Sequence, residues 1–198
     1  MRLLKLPILL AITAAAASFW FASNSRAATE TPEYKVTRTD GSFEIRDYSA
    51  LVVASTEMKG NEMNDGFGEL FRYISGQNED SEKIAMTAPV LIDTAPEKKT
   101  MSFIMPQETV KNGAPKPAGE SVNLAKVEAA RFAVHRFEGG RTKENESAAR
   151  EKLLAWLEGQ KIAAKGAPIF AYYDPPWTPV FLRRNEVMIR IEMRQNTR

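Results

Sequence analysis

Two helical stripes set among strands constrain this chain more than any other feature. Phe67, Leu70, Phe71 and Ile74 fall at i, i+3, i+4 and i+7, one face of an α-helix. Asn64 or Asp65 caps its start, and Gly76 ends it. Ala149, Leu153, Trp156 and Leu157 form the second stripe, which starts at Thr142 with Glu144 and Glu146 in its first turn and closes at Gly159. The rest of the patterned sequence reads as strand. Tyr34 to Tyr48 is a hairpin turning at Asp40-Gly41, followed by strands at Leu51 to Met58, Lys83 to Ile92, Met101 to Met105, Val127 to Phe137, Ile169 to Tyr173 and Val187 to Met193. Pro89 assigns its strand to an edge or a bulge, and Gln107 to Glu120 reads as a linker. Two helices cannot cover both faces of about eight strands. The expected class is therefore α+β: two βαββ repeats forming a distorted antiparallel β-barrel or curved sheet flanked by two helices.

Arg2 and Lys5 precede an apolar run from Leu6 to Phe21, and Ser25-Arg26-Ala27 supplies a small-x-small site. Residues 1–27 thus read as a signal peptide cleaved after Ala27, with export to the periplasm, and 28–198 as a single domain with its core at about 33–193. An uncleaved N-terminal anchor is the alternative, although the run is shorter than the roughly 20 residues of a spanning helix, and the mature chain carries no transmembrane span. Removing Arg2, Lys5 and Arg26 from the 27 basic residues leaves 24 against 25 acidic ones, a net charge of −1. The basic balance belongs to the leader, so nucleic acid is not an expected partner. The sequence has no cysteine and one histidine, which excludes a cysteine nucleophile, thiolate ligation, and a multi-histidine metal site.

Tyr172 to Val187 joins two strand-like runs through Pro175, Pro176 and Pro179. Proline lacks an amide donor, so this segment is not interior sheet. Trp177 and Phe181 are then large apolar groups on a surface loop, the composition of a binding site.

Three ordered motifs resemble the SOUL haem-binding protein family. These are Gly76-Gln-Asn78 with Lys83-Ile-Ala-Met-Thr-Ala-Pro-Val90, Phe132-Ala-Val-His-Arg-Phe-Glu-Gly-Gly140, and Tyr173-Asp-Pro-Pro-Trp-Thr-Pro179 with Arg183-Arg-Asn-Glu186. The resemblance implies a protein that binds haem b or another tetrapyrrole non-covalently, without catalysis. It implies a pocket between the first helix, at Asn64, Phe67 and Phe71, and the loop before the last strand, at Trp177 and Phe181 with Arg183 nearby. A porphyrin needs an apolar slot and cations at its rim, and Arg183 or Arg184 can pair with its propionates. On the same helix, Leu70 and Ile74 are the residues expected to pack on the sheet. Glu186 is expected to pair with one of the two arginines or to accept backbone amides.

No iron ligand is evident. His135 lies on a strand away from that pocket and reads as a structural histidine. Weaker ligands within reach are Tyr73, Met58, Met63 and Met86. Two other functions remain open. One is a general amphipathic-ligand binder of the regulator-like βαββ superfold, using the concave sheet face and marked by a buried acid such as Glu192. The other is a hydrolase with a glutamate base, for which no nucleophile elbow, metal cluster or phosphate loop is present.

Overall fold

The computed structural model describes residues 29–58 and 63–192, with backbone alone at Met63 and Asn64. The leader, Met193 and the side chains of Met63 and Asn64 lie outside the described residues. The strands are β1 (Tyr34–Asp40), β2 (Phe43–Tyr48), β3 (Leu51–Glu57), β4 (Val90–Asp93), β5 (Thr100–Ile104), β6 (Asn123–Val127), β7 (Ala130–Phe137), β8 (Ala164–Tyr172) and β9 (Asn185–Ile191). The helices are α1 (Met63–Ile74), α2 (Gln107–Asn112) and α3 (Lys143–Gly159).

Among the described residues nine strands form one antiparallel sheet in the order β1-β2-β7-β9-β8-β4-β5-β3-β6. The β1–β2 turn places Gly41 at φ +58°, a left-handed conformation that glycine adopts without strain. The β2–β7 ladder ends at Tyr48↔Ala130, and the β3–β6 ladder begins at Leu51↔Val127. These ladders lie towards opposite ends of the sheet order, yet three residue steps, at most about 10 Å of chain, separate them on each strand. The sheet must therefore curl until its ends meet, although it does not close by hydrogen bonding.

Strand patterning shows two apolar faces. On the outer face Ala133, Phe137, Val187 and Ile189 join Leu70, Ile74, Leu153 and Leu157 in the main core. On the concave face Tyr48, Phe132, Val134 and Met188 form a smaller cluster. Helix α1 packs on β3 and β5, and α3 on β7, β8 and β9. Thr142 caps α3, its side chain accepting from the Asn145 amide at 3.2 Å.

Three sequence readings require correction. The segment read as a linker contains α2, which is short, buries no residue and so has no apolar stripe to detect. The strand read over Val127–Phe137 is β7 from Ala130, whereas Val127 ends β6, a strand from Asn123 that pairs with β3 and that the sequence reading missed. The segment read as strand over Lys83–Ile92 is strand only from Val90, where β4 enters between β5 and β8, so Pro89 stands just before the strand and marks neither an edge nor a bulge.

Candidate functional site

Helix α1 divides its stripe as expected. Leu70 and Ile74 are buried, while Phe67 and Phe71 remain 39% and 50% exposed. Their rings lie nearly parallel, 5.9 Å apart at 14°, and form a flat apolar strip. Phe67 also contacts Phe103 edge-to-face at 5.3 Å, which ties the strip to β5.

The loop between β8 and β9 presents Trp177 and Phe181 at 73% and 70% exposure. Backbone-directed hydrogen bonds fix its path. The buried Asp174 carboxylate accepts the Arg184 amide at 2.6 Å, and the Thr178 amide donates to the Pro175 carbonyl at 3.0 Å. Arg183 donates Nε to the Thr178 carbonyl at 2.8 Å and Nη2 to the Pro176 carbonyl. Arg183 therefore shapes the loop that carries Trp177. Arg141, which the sequence reading did not single out, donates to the Asp174 carbonyl at 3.0 Å and stacks 4.1 Å above the Tyr172 ring. Burial lowers its pKa. The Tyr172 hydroxyl donates to Glu146; burial, and next the Glu146 carboxylate, raise its pKa.

Strand register relates the two aromatic groups. Phe103 pairs with Val90, Val90 with Tyr172, and Tyr172 with Asn185. Phe103 carries the α1 strip, and the loop departs from Tyr172 and returns at Asn185. Phe103 and Tyr172 are two strand spacings apart, about 10 Å. Both belong to the outer-face core. The α1 strip and the loop therefore flank β4 at one end and on one face of the sheet.

His135 is buried on β7, stacked on Phe43 at 4.5 Å, with Nδ1 3.1 Å from the Ser42 hydroxyl. Phe43 stacks in turn on Trp156 of α3 at 5.1 Å. Burial lowers the imidazole pKa, and the charge of Lys152 lowers it further. Tyr73 is buried and donates its hydroxyl to the Pro115 carbonyl at 2.8 Å, and Met58 is buried, whereas Met86 is exposed.

The buried acid among aromatics is Glu186, not Glu192, which is exposed and paired with Lys165. Glu186 accepts Arg46 Nη1 and Nη2 at 2.7 and 3.1 Å, Arg184 Nε and Nη2 at 2.9 and 2.7 Å, and the Tyr173 hydroxyl at 3.0 Å. Burial raises its pKa, but the hydrogen bonds and charges of the two arginines outweigh this and hold it below the usual carboxylate range. Arg184 is thus committed to Glu186 rather than free at a pocket rim. The sequence reading missed the partner Arg46, since 140 residues separate it from Glu186.

Curved antiparallel sheet and flanking helices define an α+β domain with solved counterparts. The EcmrR C-terminal domain superposes with TM-score 0.54 at 12% identity, covering 80% of this chain and 98% of that domain. A hydrolase from Listeria innocua superposes with TM-score 0.55 at 8% identity, covering 79% and 94%. At such identities the likeness is one of fold alone. Residues 29–190 match the SOUL heme-binding protein family, and the chain belongs to it. Heme-binding protein 1 of Xenopus tropicalis is 28% identical over 156 residues, 73% of this chain and 81% of that protein, and its Xenopus laevis counterpart is equally similar.

Proposed function

We propose that this chain binds haem or another tetrapyrrole in the groove between α1 and the β8–β9 loop, and that it acts as a binder rather than an enzyme. The observation that carries this is the pairing of two exposed aromatic groups, Phe67–Phe71 and Trp177–Phe181, at one end of one sheet face in a member of the SOUL family. Solvent-facing rings on a shaped wall suit a flat apolar macrocycle. Asn64 lies on the first turn of α1. The guanidiniums of Arg183 and Arg141 supply positive charge near the loop, fitting a ring with propionates. When bound, haem would supply iron for redox or ligand chemistry. The protein's residues supply ring contact and charge. The positions of His135, Tyr73 and Met58 support recognition through the ring rather than through the iron.

Titrating the protein with haemin and with iron-free protoporphyrin should give saturable binding of both, with affinities within about threefold. A Soret change that never saturates would remove the function. Loss of protoporphyrin binding alone would instead indicate an iron ligand.

The same reading takes β3-α1-β4-β5 and β7-α3-β8-β9 as two repeats, which their mirrored order in the sheet supports. It also makes the protein an exported carrier, buffer or sensor, with no nucleic-acid partner. The leader motif supports export. Mass spectrometry of protein recovered from the periplasm should find a mature chain beginning at Ala28; retention of Arg2 and Lys5 would favour the anchored form.

A further inference from the structure

A hollow of about 420 Å³ opens on the outer face beside the C-terminal end of α3. Ile45 and Ile191 of the main core, with Ile162 packed against that core, give it an apolar floor. Arg38, Arg131 and Lys161 bring three cations to its lining. Register explains their meeting: Arg38 pairs with the outward-facing Ile45, and Arg131 with the outward-facing Ile191. The hollow lies far from the tetrapyrrole groove. Arg131 is six residues from Phe137 along β7, about 20 Å, and Phe137 pairs with Asn185, where the β8–β9 loop returns.

Lys161 is held at this hollow against its backbone preference. Helix α3 ends in a Schellman motif, in which the Lys161 amide donates to the Glu158 carbonyl at 2.9 Å and the Ile162 amide to the Leu157 carbonyl at 3.0 Å. Such a turn needs a left-handed residue, usually glycine, yet Lys161 occupies it at φ +57°. The helix's own glycine, Gly159, stands two residues too early. Strain of this kind marks function where the strained residue reaches a site. The cations are also left for an anion. Among the described residues no carboxylate pairs with Arg38 or Lys161. Neutral groups place Arg38 instead: its Nη2 donates to Gln160, the residue before Lys161, at 2.7 Å, and its guanidinium lies 5.6 Å from the Trp156 ring centre. Arg131 gives Nε and Nη2 to Asp47 at 2.6 and 2.7 Å and keeps Nη1. The acid of the lining, Glu192, pairs with Lys165 at 2.7 Å. With these ion-pair partners included, four bases stand against two acids.

We propose that the hollow at the end of α3 is a second binding site, independent of the tetrapyrrole groove, for a small organic oxyanion with an apolar body. The phosphate or carboxylate head is held by Arg38, Arg131 and Lys161. The body rests on Ile45, Ile162 and Ile191.

The Trp156 indole N–H, which donates to Asp40 at 2.9 Å beside the Arg38 guanidinium, reports on this site by NMR. Phenyl phosphate and benzoate should shift its signal saturably, inorganic phosphate about tenfold more weakly for want of a body, and benzyltrimethylammonium not at all. Lys161→Gly should weaken phenyl phosphate binding by about tenfold and raise the thermal midpoint by about 2 °C, since it removes a cation and relieves the left-handed backbone. Arg38→Gln should weaken binding by a similar factor. A lysine with a purely structural role predicts the opposite pattern, a lower midpoint with unchanged affinity. That pattern, an indole signal that fails to saturate with either anion, or an equal response to the ammonium would overturn the proposal. Haemin titration of both variants should match the parent protein, and a parallel loss of haemin would overturn the independence of the two sites. Phenyl phosphate binding can persist where haemin binding fails, so the two sites are judged separately.

Discussion

Glu186→Gln should lower the stability of this protein by about 3–5 kcal/mol, the usual effect of removing one partner from a buried ion pair. The carboxylate is fully buried, and both its oxygens accept charged donors. Replacing it with an amide leaves Arg46, itself buried, with only the partly exposed Glu44 carboxylate, at 2.6 Å from Nε, as its anion. The loss is large because the cluster also joins separate parts of the chain. Arg46 comes from β2, Glu186 from β9, Tyr173 from the end of β8, and Tyr34 of β1 lies 4.4 Å from the Arg46 guanidinium. Urea unfolding gives the measurement; a loss below about 1 kcal/mol would show that water or rearrangement replaces the pair. The double variant Arg46→Met, Glu186→Met should recover part of the loss, because apolar groups of similar volume carry no buried charge. The pH dependence has a defined sign. The folded pKa of Glu186 lies below its ordinary 4.5, so its contribution is complete above about pH 4.5 and disappears as pH falls through the folded value. Glu186→Gln should lack that part of the acid destabilisation.

Replacing Phe67 and Phe71 together by alanine should weaken haemin binding by roughly a hundredfold. A phenylalanine carries about 200 Å² of surface, and these rings leave about half uncovered, so each offers ~100 Å² to a ligand. At about 25 cal/mol/Å², with a ligand covering only part of that area, each ring contributes about 1.5 kcal/mol. Phe71→Ala alone should account for about tenfold with little change in stability, since its ring is half in solvent. Phe67→Ala should also lose about 1 kcal/mol of stability through its contact with Phe103. Spectral titration and thermal unfolding separate these effects. Unchanged haemin affinity in a folded double variant would move the tetrapyrrole away from α1 and leave the family assignment intact.

Much of the fold was legible because its elements bury one face at a characteristic period. The α1 and α3 stripes, the Asp40-Gly41 turn and the alternation of the last strand follow from local spacing. Leu70 and Ile74 could be assigned to the core over Phe67 and Phe71 before any coordinates, and the exposures agree. The linker reading failed at α2 because a short helix that buries nothing leaves no periodic trace. β6 went unread except for its last residue, Val127, which was joined to β7, and only the identity of their partners separates the two strands.

For the site, the sequence by itself determined the residue types and their order: a strip of phenylalanines on one helix, and an aromatic proline loop with arginines behind it. Tertiary structure decided what each charge does. Arg183 spends its donors on loop carbonyls, Arg184 turns to Glu186, Arg141 joins the loop from the start of α3, and Arg46 arrives from 140 residues away. The hollow at the end of α3 likewise exists only once helix and sheet pack together. Periodicity records which face of an element is buried, whereas the partner of a charge and the shape of a hollow depend on contacts between residues far apart in the chain.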